Sequence, residues 1–201
     1  MKTFHFFGLM LASAVLMAAC DNTGRRTADD SIEQAQDVND TTAMANSDDA
    51  DFAVKAADAG LAEVELGKLA MEKAESQRVK DFAKKMVNDH QKANDELMTI
   101  ATRHNITLPP AISRDQVDKQ RKLRERSGAE FDKEYMDAMV DDHDKVVSLF
   151  EDAASDAQNA DLKAFASKTL PILKKHHEEA KAIRDSISPV DSAMIQRRIM
   201  P

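Results

Sequence analysis

Three histidines and one glutamate fall on the apolar stripes of four different helical segments. His90 lies in the series Val79, Phe82, Met86, His90, Ala93, Leu97, Ile100, a spacing of three and four that sets its imidazole among apolar neighbours. His143 stands likewise in Phe131, Met136, Met139, His143, Val146, Val147, Phe150, and His176 in Leu162, Phe165, Thr169, Leu173, His176, Ala180, Ile183. Glu63 belongs to Phe52, Ala56, Ala59, Glu63, Leu66, Ala70, whereas Glu65 shares its side with Asp58, Lys68 and Glu72. Burying charge is costly unless the group is paired or bound to metal, so these four inward residues mark the place for chemistry. Imidazoles with one carboxylate suit a single transition-metal ion, Zn, Fe or Cu, with a further position open to water or substrate. The competing reading makes each histidine a core residue bonded to a carboxylate or carbonyl of a neighbouring helix. Asp142 and Asp89, each directly before a histidine, are candidates to orient a ligating ring. Asp142, flanked by Ala138, Met139 and Val146, is the better placed; Asp89 has Lys85 and Lys92 beside it and belongs at the solvated edge. His177, between Lys174 and Lys181, and His104, at a helix end, read as solvated.

The elements that must position these groups are four amphipathic segments, at 49–74, 77–104, 129–156 and 160–187, with Ser76 and Asn159 as N-caps that divide each pair into a hairpin. The connection between the second and third is long. It carries Pro109-Pro110 and then Ser113-Arg114-Asp115-Gln116, which reads as a capping box opening a short basic helix. Helices of this length extend roughly 40 Å, and a partly helical connection of this size can return along all of that. The spacing therefore predicts an all-α fold, a ferritin-like four-helix bundle with a long crossover between helices two and three. In that topology Glu63, His90 and His143 come to within roughly 3 Å of one level, with His176 about one turn higher. Side chains lean toward their helix N-termini, which brings the four tips together.

Composition agrees with helices: of 201 residues 32% are charged and 4% aromatic, with five glycines, leaving little material for a sheet. A net charge of -8 argues against nucleic acid as a partner, since phosphate contacts need a concentrated basic face. The first nineteen residues read as a signal segment: Lys2, an apolar run from Phe6 to Val15, then Leu16-Met17-Ala18-Ala19-Cys20. This stretch resembles a bacterial lipoprotein signal, which implies that Cys20, the sole cysteine, is lipidated and anchors the chain to a membrane. Asp21 leaves inner and outer membrane undecided. Residues 20–48, polar and without apolar period, read as a disordered tether. The bundle then occupies 49–187 and a flexible tail 188–201.

Phe52-Ala53, Ala59 to Ala70, Val79 to Ala83, Met86 to His90, Phe131 to Met136, Asp142-His143 and Thr169 to His176 together resemble a ferritin-like bacterial envelope family known as a domain of unknown function and often labelled predicted outer membrane protein. The resemblance spans about residues 50–185. It implies a ferritin-like fold and an exported, periplasm-facing location in the bacterial envelope, and supplies no reaction. Di-iron ferritins use Glu-x-x-His on two helices, but here Val87 and Leu173 stand three before His90 and His176. The bridging carboxylates are missing, so ferroxidase activity does not follow from the fold.

Of the other features, Gly60 and Gly67 predict close helix approach and Pro171 a kink. Met71, Met86, Met98, Met136 and Met139 read as core filling. The basic run Lys119 to Arg126 reads as a solvated crossover helix or a face for an anionic membrane or envelope protein partner. No nucleophile elbow or phosphate-cradling loop is present. The leading reading is an exported lipid-anchored module that binds a metal ion or small ligand, acting in envelope stress tolerance. A non-catalytic structural or interaction lipoprotein without metal, and a metal-dependent redox enzyme, remain as alternatives.

Overall fold

The computed structural model describes residues 29–41 and 47–187, which form helices and no strands. In chain order these are α1 (Asp29–Thr41), α2 (Ser47–Lys73), α3 (Gln77–Arg103), α4 (Arg114–Arg124), α5 (Gly128–Asp156) and α6 (Ala160–Ile187). The four long ones match the segments read from the periodicity to within two residues at each end. Cys20, the leader and the C-terminal tail lie outside the described residues.

α2 packs along α3 and α5 along α6, and the two pairs meet through α2 with α5 and α3 with α6. Two aspartates fix how they meet. Asp132, near the start of α5, accepts from the backbone N–H groups of Glu75 and Ser76 at the α2–α3 turn, at 3.0 and 2.7 Å. Asp49, near the start of α2, accepts from Gln158 and Asn159 at the α5–α6 turn, at 3.1 and 2.7 Å. Each helix start thus satisfies the unpaired amides at the other pair's turn, and α2 and α5 run antiparallel. The stretch from His104 to Ser127 accordingly joins opposite ends of the molecule, with α4 lying on α2 and α5. Asn159 caps α6 as expected, its Oδ1 accepting from Asp161 and Leu162. Ser76 stands at the N-cap of α3 without a side-chain capping bond.

Gly60 and Gly67 bring α2 close to α3. A Cβ on Gly67 would stand 2.7 Å from Val87 Cγ2 and 3.1 Å from the Ala83 carbonyl; one on Gly60 would meet Asn94 Oδ1. α6 runs through Pro171 without interruption.

The interior falls into two apolar clusters. One gathers Leu66, Val79, Phe82, Met86, Phe131 and Met139 near the α2–α3 turn, and includes Tyr135. The other holds Phe52, Leu97, Ile100, Phe150, Phe165 and Leu173 toward the opposite end. Phe52 and Phe150 meet edge to face at 5.1 Å, a favoured aromatic geometry.

Four expectations are corrected. Within the stretch expected to be a disordered tether, residues 29–41 form α1 against α2. It buries Ala35 and bonds a remote partner: Asn39 donates to the Thr107 carbonyl at 3.0 Å and accepts from the Thr107 N–H at 2.7 Å. Ser113 opens α4 without the predicted capping box; its N–H and hydroxyl both donate to the Asp58 carboxylate, at 2.6 and 2.9 Å. Asp58, assigned to the solvated side of α2, is therefore buried under the crossover. Met71 and Met98 are exposed, while Met86, Met136 and Met139 fill the core.

The paired turn caps give a direct test. Asp132→Ala leaves two backbone N–H groups without their acceptor and should cost about 1–3 kcal/mol, with a loss of the same order for Asp49→Ala. Urea denaturation of the single variants measures both. A loss within error of zero would remove the caps from any part in holding the pairs together.

Candidate metal centre

The three histidines lie where the two apolar clusters meet. Each sits four residues after, or four before, a core residue on its own helix: Met86 before His90, Met139 before His143, Ala180 after His176. α3, α5 and α6 thereby each contribute one ring to a common point. The ring centroids are 5.7 Å apart for His90 and His143, 5.5 Å for His90 and His176, and 5.7 Å for His143 and His176. One nitrogen from each ring lies within 4.8 Å of the other two, and all three residues are buried.

For His143 and His176 hydrogen bonding decides which nitrogen is free. His143 Nδ1 donates to the Met139 carbonyl at 2.8 Å, leaving Nε2 buried without a partner. His176 Nε2 donates to Asp89 Oδ2 at 3.1 Å, leaving Nδ1 without one. His90 Nε2 is likewise buried and unbonded. A ring whose one nitrogen is tied down as a donor presents the lone pair of the other, the arrangement found at ligating histidines. His143 and His176 have that arrangement, and with His90 the three buried histidines could hold a metal ion.

Glu63 approaches from α2. Its Oε1 is 4.0 Å from His143 Nδ1, and its Oε2 is buried without a hydrogen bond. The structure places it beside the group of three and outside the set of converging atoms. Of the two orienting aspartates the ranking is reversed. Asp89 holds His176, whereas Asp142 accepts from Lys119 of α4 at 2.6 Å. Helical position gave Asp142 the more apolar neighbours, but its carboxylate turns to the crossover. His177 and His104 are paired: His177 Nε2 lies 3.3 Å from Asp144, and His104 Nε2 bonds Asp161 at 2.8 Å.

The electrostatics follow from burial. Desolvation, and then the neighbouring rings His143 and His176, hold the His90 imidazole well below its usual range, so it is neutral. The same cause, with His176 next, lowers His143 to about 4. Desolvation lowers His176 too, opposed by its bond to Asp89. Glu63 is pushed well above the carboxylate range by burial and by Asp142, against the pull of Lys119. Burial and Glu63 raise Tyr135, whose hydroxyl is buried and unbonded.

Sequence reasoning missed Tyr135, Asp58 and Ser113 as polar groups of the interior, and Lys119 as the half-buried partner of Asp142. The basic run around Lys119 is largely neutralised within the fold, since Arg121 pairs with Asp118 and Glu125, and Arg126 with Glu130 and Glu134. A reciprocal spacing of Asp58 and Lys119 with their partners is not periodic in the chain, so no pattern signals it.

A family model described as "Domain of unknown function (DUF4142)" matches residues 33–183. No curated protein and no solved structure matches the chain. Among the described residues, no helix is long and apolar enough to cross a membrane.

The lowered histidines set a pH dependence for the metal-free protein. Unfolded imidazole takes its proton near 6.5, while folded His143 holds off protonation to about 4. In that window the unfolded state binds more protons, so stability is lost as pH falls through it. Glu63 works in the opposite sense, because above 4.5 the folded state keeps a proton that the unfolded chain releases. Urea midpoints between those limits should fall with pH, and His143→Gln should flatten the slope. An unchanged slope would mean that His143 is not held neutral by the fold.

Proposed function

The chain belongs to the family described as a domain of unknown function (DUF4142), and we propose that this member is an exported, lipid-anchored, ferritin-like module that holds one transition-metal ion inside its helices. His90, His143 and His176 supply neutral nitrogen ligands, and Glu63, beside His143, supplies a carboxyl that balances the ion's charge once it gives up its proton. Zn, Fe and Cu all accept imidazole-rich sets. The four long helices serve as a ferritin-like bundle, with the α4 region as its crossover.

The observation that carries this reading is the set of four buried, unbonded atoms: His90 Nε2, His143 Nε2, His176 Nδ1 and Glu63 Oε2. A buried acceptor left unpaired costs about 1–3 kcal/mol. Histidines serving as packing would be expected to bond a neighbouring carboxylate or carbonyl through both nitrogens. A metal answers all three rings at once. The missing Glu-x-x-His pairs favour a single ion over a di-iron centre, and we propose envelope stress tolerance as its setting.

The test is metal content by mass spectrometry on the full chain, purified without a His tag, beside a variant with His90, His143 and His176 all changed to Ala. The expected result is near-stoichiometric metal in the wild type, none in the folded variant, and a metal-induced rise in melting temperature confined to the wild type. Absence of metal after incubation with Zn, Fe, Cu and Mn would overturn the reading in favour of a structural lipoprotein. Anchoring is tested separately: a clickable palmitate analogue should label the wild type and not Cys20→Ser, and an unlabelled wild type would exclude a lipid anchor at Cys20.

A further inference from the structure

Three voids line up across the helices. On one face, between α3 and α6, a cleft of about 230 Å³ is lined by His90 and His176 together with Asp89, Ala93, Glu96 and Lys168. Inside, a void of about 20 Å³ touches His90, His143 and Glu63. On the opposite face, between α2 and α5, a cleft of about 200 Å³ is lined by Glu63, Asp58, Asp142, Lys55 and Lys145. Ala93 borders both the α3/α6 cleft and the inner void, and Ala59 borders both the α2/α5 cleft and the inner void.

The two faces differ in what an approaching cation would meet. The α3/α6 cleft reaches two of the three histidines directly. Its carboxylates are Asp89, already in contact with His176 and 3.8 Å from Lys92, which also lines the cleft, and Glu96. Its rim is closed by Lys168, whose ammonium bonds both Glu96 oxygens across the helices at 2.9 and 2.7 Å. That pair is exposed on the lysine side, and an exposed ion pair of this kind is weak and easily opened. The α2/α5 cleft reaches no histidine. Lys55 and Lys145 line it, and the Lys119–Asp142 pair ties α4 across it. Asp142 is buried and Lys119 half-buried, so opening this side would leave the Asp142 carboxylate without its partner.

We infer that a divalent cation reaches the histidines through the α3/α6 cleft, taken up first by Asp89 and Glu96 and then handed to His176 and His90, with the Glu96–Lys168 pair as the strap over the entrance. This rests on the metal reading of the same site. Asp89 has two parts in it: it orients His176 once the ion is bound, and it offers the incoming ion an oxygen ligand while the ion is still partly hydrated.

Zinc loaded onto the full chain and then withdrawn by excess EDTA reads the route. Ala93→Phe, which fills the α3/α6 side, should slow release by about tenfold or more without lowering the zinc held at equilibrium, as a blocked passage does. Ala59→Phe, the counterpart on the other face, should leave release unchanged. Lys168→Ala changes an exposed side chain, so it tests the strap without straining the core, and should speed release. Slowing by Ala59→Phe and not by Ala93→Phe, or equal slowing by both, overturns the route. If the wild type holds no zinc, the metal reading has failed by itself, and the cleft is then read without metal. Ethoxyformylation of His90 and His176 by diethyl pyrocarbonate, mapped by peptide mass spectrometry, should be slowed by Ala93→Phe and not by Ala59→Phe. Labelling indifferent to Ala93→Phe overturns the inference.

Discussion

A layer of uncharged but polar side chains, set where two apolar clusters meet, is the constraint on which the rest of this structure depends. His90, His143, His176 and Glu63 are all buried, and each keeps one polar atom without a hydrogen bond. Desolvation works against charge in all four, lowering the rings and raising Glu63 toward the neutral forms that a low-dielectric interior favours. It does not resolve the missing bonds. A core of leucines at those positions would fold with less penalty, so the layer is held in place by packing above and below it and by what it can bind.

That packing needs a fixed register among α2, α3, α5 and α6, because a shift of one turn would separate the rings by about 5 Å. The register is set at the ends. Asp132 and Asp49 bind the turns of the opposite helix pairs, and Gly67 lets α2 approach α3 to a distance that a methyl group would not permit. α1 and α4 add restraints on the α2/α5 side through Asn39, Ser113 and Lys119. The helix pairs meet there under cover of the crossover, while the α3/α6 side has no element over it among the described residues. Two of the histidines accordingly border the α3/α6 cleft, while the α2/α5 cleft reaches Glu63 alone of the polar layer.

Much of this was legible in the chain. Periodicity in apolar residues locates four helices and puts His90, His143, His176 and Glu63 on their inner faces, because a helix repeats every 3.6 residues wherever it packs. The glycines among alanines announce close contact for the same local reason. What periodicity cannot supply is a partner on another element. Asp58 and Lys119 look solvated on their own helices; Asp58 is buried and Lys119 half-buried only because α4 lies across α2 and α5. α1 has little apolar stripe and is bonded through Asn39 to Thr107, sixty-eight residues away.

The sequence by itself determined that the fold is helical, where the long helices begin and end, and which four polar residues face inward. Only the tertiary structure decided which atoms of those residues converge: three imidazole nitrogens within reach of one ion, Glu63 beside His143, and Asp89 in place of Asp142 as the group that orients a ring. Facing inward is a property of one helix and its repeat. Convergence depends on the rotation and register of several helices together, which are fixed by contacts between residues far apart in the chain.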